Sequence, residues 1–225
     1  MFSIEGGVNI KTDILEATIK YRVTAILRGI ENDRIQSVID ALYDGGIRLL
    51  EITFDQKSPT KLEDTTAAIR YAAEKYGSDM YVGAGTVMSC EEVLAAKKAG
   101  AQFILSPNVD LNVIRTAVAE GLCAIPGAMT PSEAAEAYKA GAQIIKLFPA
   151  GDLGLSYYKA IKAPLSHIPM IAVGGVDETN LADFLKAGFI GAGIGSNLTR
   201  KELIDSRDFD GLRKLAEIYM KAAVV

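Results

Sequence analysis

KAGAQFILSP (98–107) recurs as KAGAQIIKLFP (139–149) and, in outline, as KAGFIGAGIGS (186–196). Each copy carries the same instructions. A lysine ends an amphipathic stretch, a glycine turns the chain, and a short run apolar on both faces follows. Glycine just past a helix end takes the left-handed conformation that stops the helix. A run apolar on both faces is what a parallel strand needs when it is buried between a core and covering helices. One strand–helix unit is therefore being reused. Working outward, the runs QFILSP (102–107), IIKLFP (144–149) and GAGIGS (191–196) are joined by VTAILR (23–28), IRLLEIT (47–53), MYVGAGT (80–86), LCAIPG (122–127) and MIAVGG (170–175), which makes eight. Ser89 with Glu92, and Thr130 with Glu133 behind Pro131, read as capping boxes that start helices soon after strands. Eight such units in roughly 200 residues predict a single (β/α)8 barrel of TIM type spanning residues 1–225, since an open doubly wound sheet of this length uses fewer strands. Lys11 to Tyr21 is then an extra N-terminal helix before the first strand, expected to plug the barrel floor.

Composition agrees with one large core: 49% of the 225 residues are hydrophobic and 23% charged. The formal charge is −4 with basic and acidic residues interspersed, so no polyanion-binding stripe emerges and nucleic acid is not an expected partner. No apolar run approaches the ~20 residues needed to cross a bilayer. The first residues lack a basic segment followed by an apolar one. The expected location is the cytoplasm, with no membrane partner. Cys90 and Cys123 are too few for a disulfide framework and form no CxxC pair, so both are expected reduced.

In such a barrel, chemistry gathers at the C-terminal ends of the strands. Read strand by strand, those ends supply Arg28, Glu51, Thr86, Pro107, Lys146, Gly174 with Gly175, and Gly195 with Ser196. Lys146 stands out, because a cation inside IIKLFP loses its hydration and must be paired or neutral. A neutral amine on a rigid strand is what Schiff-base formation with a carbonyl requires. The competing reading is a structural ion pair with Glu51. Glu51 is the natural proton-transfer partner if burial raises its pKa. His167 is the only histidine and precedes the seventh run, which puts it at the opposite end of the barrel and argues against a histidine base, a Ser-His-Asp triad or a histidine-rich metal centre. Asp55, Asp110, Asp152 and Asp177 follow strands but read as helix caps or solvated residues, so no metal site is expected. The glycine-rich turns Gly174-Gly175-Val176 and Gly193-Ile194-Gly195-Ser196-Asn197 occupy the usual phosphate position, where backbone N–H groups and a following helix N-terminus favour an anion. Thr86 and Arg28 either bind a second anionic group near Lys146 or serve as a helix cap and a rim ion pair.

These segments together resemble the 2-keto-3-deoxy-6-phosphogluconate (KDPG) and 2-keto-4-hydroxyglutarate (KHG) aldolase family, including its 2-keto-3-deoxy-6-phosphogalactonate members. The resemblance runs in order through AILRGI (25–30), LEIT (50–53), VGAGTV (82–87), FILSPN (103–108), IPGAMTPSEA (125–134), IKLFPA (145–150), AVGGV (172–176) with Asn180-Leu181, and GAGIGSNL (191–198). It implies a class I, cofactor-free and metal-independent lyase that releases pyruvate from a phosphorylated 2-keto-3-deoxy sugar acid. Lys146 would form the Schiff base and Glu51 would act as general acid and base. Thr86 and Pro107 would lie around the pyruvate moiety, and Gly174, Gly175, Gly195 and Ser196 would hold the phosphate. It also implies a homotrimer. One departure is informative: many phosphogluconate-type members carry an arginine four residues after the glutamate, where it binds the substrate carboxylate, and this chain has Asp55. Phosphogalactonate-type members also lack that arginine, which leaves Arg28 as an anion anchor and the sugar epimer open. A phosphosugar isomerase, and a silent phosphosugar-binding barrel with Lys146 and Glu51 in a structural pair, are the rival readings.

Overall fold

The computed structural model describes residues 10–225. All eight predicted runs form strands, and every strand pair is parallel. They are β1 (Val23–Leu27), β2 (Leu49–Thr53), β3 (Tyr81–Gly85), β4 (Phe103–Leu105), β5 (Cys123–Ile125), β6 (Gly127–Ala128), β7 (Ile145–Leu147), β8 (Met170–Val173) and β9 (Gly191–Ile194). The ninth segment arises because Pro126, which has no N–H to give, divides the fifth run into β5 and β6. The ladder runs β5-β4-β3-β2-β1-β9-β8-β7-β6, and the Pro126 run joins its two ends. On one side Cys123 N donates to Gln102 O at 3.1 Å and Gly127 N to Ser106 O at 2.9 Å. On the other Lys146 N donates to Pro126 O at 3.0 Å and Phe148 N to Ala128 O at 3.1 Å. Eight staves thus close a barrel.

The helices are α1 (Ile10–Tyr21), α2 (Ile35–Asp44), α3 (Lys61–Tyr76), α4 (Cys90–Lys98), α5 (Leu111–Ala119), α6 (Pro131–Lys139), α7 (Ala150–Lys162), α8 (Leu181–Lys186), α9 (Lys201–Asp205) and α10 (Phe209–Ala222). The repeated joints behave alike, with Gly100, Gly141 and Gly188 at φ 102°, 107° and 110°. The Thr130–Glu133 capping box is complete. The Ser89–Glu92 box is only half made: Ser89 Oγ accepts from Glu92 N, but the Glu92 carboxylate turns instead to Met88 N and to Lys61.

Two apolar layers result. Outward-facing strand residues such as Val23, Leu50, Ile104 and Ala172 pack under the helices. Inward-facing Ile26, Leu49, Phe103, Leu105, Cys123, Ile125, Ile144, Ile171 and Val173 fill the barrel, and Ile14 and Ala17 of α1 join them. The helix lies against β1, β2, β5 and β9, so it plugs the floor as expected. Above that plug, Glu51 and Lys146 are the buried charges inside the barrel, and a mouth opens at the C-terminal strand ends.

Candidate active site

A cavity of about 670 Å³ fills the mouth, lined by Arg28, Thr86, Pro107, Lys146, Phe148 and the glycine-rich lip. Of the strand-end residues expected to form the site, all lie on its wall except Glu51, which is wholly buried beneath it.

Lys146 sits mid-strand on β7, in register with Gly127 of β6 and Ile171 of β8, and is only 5% exposed. Its Nζ lies 5.0 Å from the centre of the Phe148 ring. Glu51 occupies the corresponding inward position on β2, in register with Ile26 and Gly83. Its carboxylate lies over the backbone of Gly85, where a Cβ would fall 1.8 Å from Oε1. A glycine at 85 is therefore what lets the carboxylate fit. The structural ion pair raised by the sequence is not made: among the described residues Lys146 has no ion-pair partner, and both Glu51 oxygens are buried without a hydrogen bond. The two groups sense each other's charge without contact. Burial pushes the Glu51 carboxyl above its usual range, against the opposing pull of Lys146 and Arg28. Burial likewise pushes the Lys146 amine below its usual range, helped by the Arg28 charge and opposed by Glu51. Unpaired buried charges oppose folding, and burial of this kind shifts each group towards its neutral form. A neutral amine carries the lone pair that attacks a carbonyl, and a carboxyl shifted towards protonation can give and take a proton.

Thr86 is not a helix cap, because α4 is capped by Ser89. It follows β3 directly with φ 54°, a left-handed conformation that strains a β-branched residue by about 1–3 kcal/mol. Its Oγ1 accepts from Arg28 Nη2 at 3.0 Å. Arg28 makes no ion pair among the described residues, so its guanidinium keeps donors for an anion. Asp55 is exposed and accepts from Lys57 N at 3.0 Å in a local turn, lining a smaller neighbouring cavity rather than the main one.

At the outer lip, Gly174 and Gly175 adopt φ 86° and 71°, which a side chain would strain. Gly195 differs: its φ is ordinary and a Cβ there would meet no protein atom within 4 Å. Among the described residues nothing crowds a side chain at 195, yet the position faces the cavity. The following helix N-termini expected for this lip are displaced: Leu198 N and Thr199 N fold back onto Gly195 O as a turn, and α9 starts only at Lys201. The donors this lip could offer an anion are then loop amides. Among the described residues, the N–H groups of Gly175, Val176, Ser196 and Asn197 donate to no protein acceptor. Asn180 Nδ2 holds Gly175 O at 3.0 Å and Asn197 Nδ2 holds Val176 O at 2.9 Å, fixing the loop's carbonyls. Sequence reasoning gave these asparagines no role. Their signal was an amide side chain shortly after each turn glycine.

His167 is exposed at the far end, edge-on to Tyr138 at 5.5 Å. Neither Cys90 nor Cys123 forms a disulfide among the described residues. Asp110 caps α5 and Asp177 accepts from Thr179 and Asn180 N–H groups. No cluster that could hold a metal occurs among the described residues, and none of the described helices is long and apolar enough to cross a membrane.

The model of the KDPG and KHG aldolase family matches residues 14–215. The chain is similar to the 2-dehydro-3-deoxy-6-phosphogalactonate aldolase of Escherichia coli (strain K12), with 43% identity over 80% of this chain and 86% of that protein. It is also similar to the probable 2-dehydro-3-deoxy-6-phosphogalactonate aldolase of Rhizobium meliloti (strain 1021), 37% identical over 77% of this chain and 80% of that protein. A solved structure described as native KDPGal superposes with a TM-score of 0.79 at 38% identity, covering 89% of this chain and 93% of that one.

Proposed function

Because the chain belongs to the KDPG and KHG aldolase family, with residues 14–215 matching its model, we propose that Lys146 and Glu51 carry its Schiff-base aldolase reaction on 2-keto-3-deoxy-6-phosphogalactonate. The observation that carries this reading is the pair itself: an amine and a carboxyl, both buried at the base of one cavity and neither neutralised by a partner.

The neutral Lys146 amine attacks the C2 ketone, and the resulting carbinolamine takes up a proton from water and loses its hydroxyl as water to give a protonated imine; the final hydrolysis returns that proton. Ionised Glu51 removes the C4 hydroxyl proton, and the C3–C4 bond breaks. Its electron pair enters the C2–C3 bond and the imine nitrogen accepts the displaced pair, giving an enamine as glyceraldehyde 3-phosphate leaves. Protonated Glu51 returns its proton to C3, and hydrolysis of the imine frees pyruvate and Lys146. Arg28 and Thr86 hold the substrate carboxylate, Pro107 and Phe148 flank the pyruvate portion, and the amides beside Gly174, Gly175, Gly195 and Ser196 take the phosphate. Two features favour the galactonate epimer. The two relatives above bear that name, and Asp55 stands where an arginine would otherwise meet the carboxylate. An isomerase using Lys146 only as a charge, or a silent barrel, leaves the unpaired burial of both groups without a purpose.

The same reading takes the chain as one domain acting in the cytoplasm as a homotrimer, with no nucleic acid, membrane or cofactor partner. Sedimentation at three times the 24.0 kDa chain mass checks the assembly. A coupled assay for pyruvate tests the substrate. We expect the highest kcat/KM with the phosphogalactonate, and faster turnover of the phosphogluconate or of unphosphorylated 4-hydroxy-2-oxoglutarate would overturn that choice.

A further inference from the structure

The strained conformation of Thr86 is held from behind by side chains outside the cavity. The Thr86 carbonyl accepts from Gln56 Nε2 at 2.9 Å. That same amide nitrogen lies 2.9 Å from Glu92 Oε1, and Gln56 Oε1 accepts from Lys61 Nζ at 2.7 Å. Lys61 Nζ also reaches Glu92 Oε1 at 2.7 Å, and the other Glu92 oxygen accepts from Met88 N at 2.5 Å. The loop is therefore gripped at both ends, by its residue 86 carbonyl and its residue 88 amide. The grip comes from three elements: the β2–α3 loop, the first residue of α3 and the first turn of α4.

Glu92 is 1% exposed on an otherwise amphipathic helix, an expensive place for a carboxylate unless it is used. Burial works against its charge, but hydrogen bonds from Lys61, Met88 N and Gln56 hold it below the usual carboxylate range, so the grip stays ionised at neutral pH. Neither Gln56, Lys61 nor Glu92 lines the main cavity. Their reach into it goes through Thr86, whose hydroxyl receives the Arg28 guanidinium.

We propose that Gln56, backed by Glu92 and Lys61, is a positioning residue that fixes Thr86 in its left-handed conformation and thereby aims the Arg28–Thr86 pair at the substrate carboxylate. This rests on the aldolase site described above. It also gives the β2–α3 loop a role in carboxylate binding that Asp55, turned into its own backbone, does not fill. Gln56 is exposed, so its replacement does not open the core.

The test is borohydride trapping of pyruvate on the full chain, read by intact mass as a function of pyruvate concentration. In Gln56→Leu we expect half-saturation to rise by about tenfold, on the order of one lost hydrogen bond to a charged site, while labelling at saturating pyruvate still reaches completion. Lys61→Met moves the same way. Ser89→Ala, which removes the α4 cap but leaves the grip intact, lowers Tm and leaves half-saturation where it was. An unchanged half-saturation in Gln56→Leu, or an equal rise in Ser89→Ala, overturns the proposal. A wild-type protein that takes no label at all overturns instead the Schiff-base reading on which it rests.

Discussion

The deep end of the cavity and its outer lip present opposite kinds of polar group. The deep end uses side chains: Lys146 and Glu51 are sealed in the barrel, unpaired, each pushed towards its neutral form. The lip uses almost none, presenting loop amides around Gly174, Gly175, Gly195 and Ser196. Bond-breaking needs groups that change protonation during the reaction, and burial tunes them. Holding a phosphate needs only fixed dipoles that stay as they are, and backbone supplies those without an ionisable group. The contrast teaches that mutations at the two ends should separate chemistry from binding.

The largest effect is expected from Lys146→Met. Pyruvate release should fall to background, whereas Tm should hold or rise, because a buried amine is replaced by an apolar chain of similar size. The sign of the pH effect follows from the lowered amine pKa. The unfolded lysine keeps its proton up to about its ordinary value of 10.5 and the folded one releases it earlier, so the native state is penalised at lower pH. The Tm gain in Lys146→Met should therefore be greater near neutrality than above 10.5.

Next, Glu51→Gln should lower kcat by ~10²–10⁴ while borohydride labelling of Lys146 persists. Gly85→Ala should fall in the same direction, since its Cβ would occupy the place of the Glu51 carboxylate. At the lip, Gly195→Ala should raise KM for the phosphorylated substrate by about 10-fold or more, leaving Tm and pyruvate labelling unchanged, because the methyl meets only what occupies the cavity. A loss of pyruvate labelling in Gly195→Ala would break the division between the two ends. The smallest effect is on the pH profile. Activity should decline as pH falls through a value above 4.5, where Glu51 takes up its proton, and the labelling rate should level off below 10.5 as Lys146 loses one.

The barrel was legible because its cause is periodic: three repeated lysine–alanine–glycine joints imposed the same turn, and the eight runs between them had only one way to be buried. Lys146 was legible because a cation is anomalous in an apolar strand. What escaped was relational. Pro126 splitting a strand follows from which N–H groups its neighbours need. The absence of contact between Lys146 and Glu51 depends on their depth in the barrel, which no sequence spacing encodes. Thr86 could be read as a cap because a threonine between a strand and the next helix suits that role. Its strain, and the Gln56–Glu92 grip behind it, exist only once β2, α3 and α4 are brought together.

The central claim is that Lys146 is the group that becomes bonded to substrate. Borohydride reduction in the presence of pyruvate, followed by peptide mass spectrometry, tests it most directly. The account predicts a stable pyruvate adduct on Lys146 with loss of activity in proportion. An unmodified Lys146 in a fully active enzyme after the same treatment would contradict it.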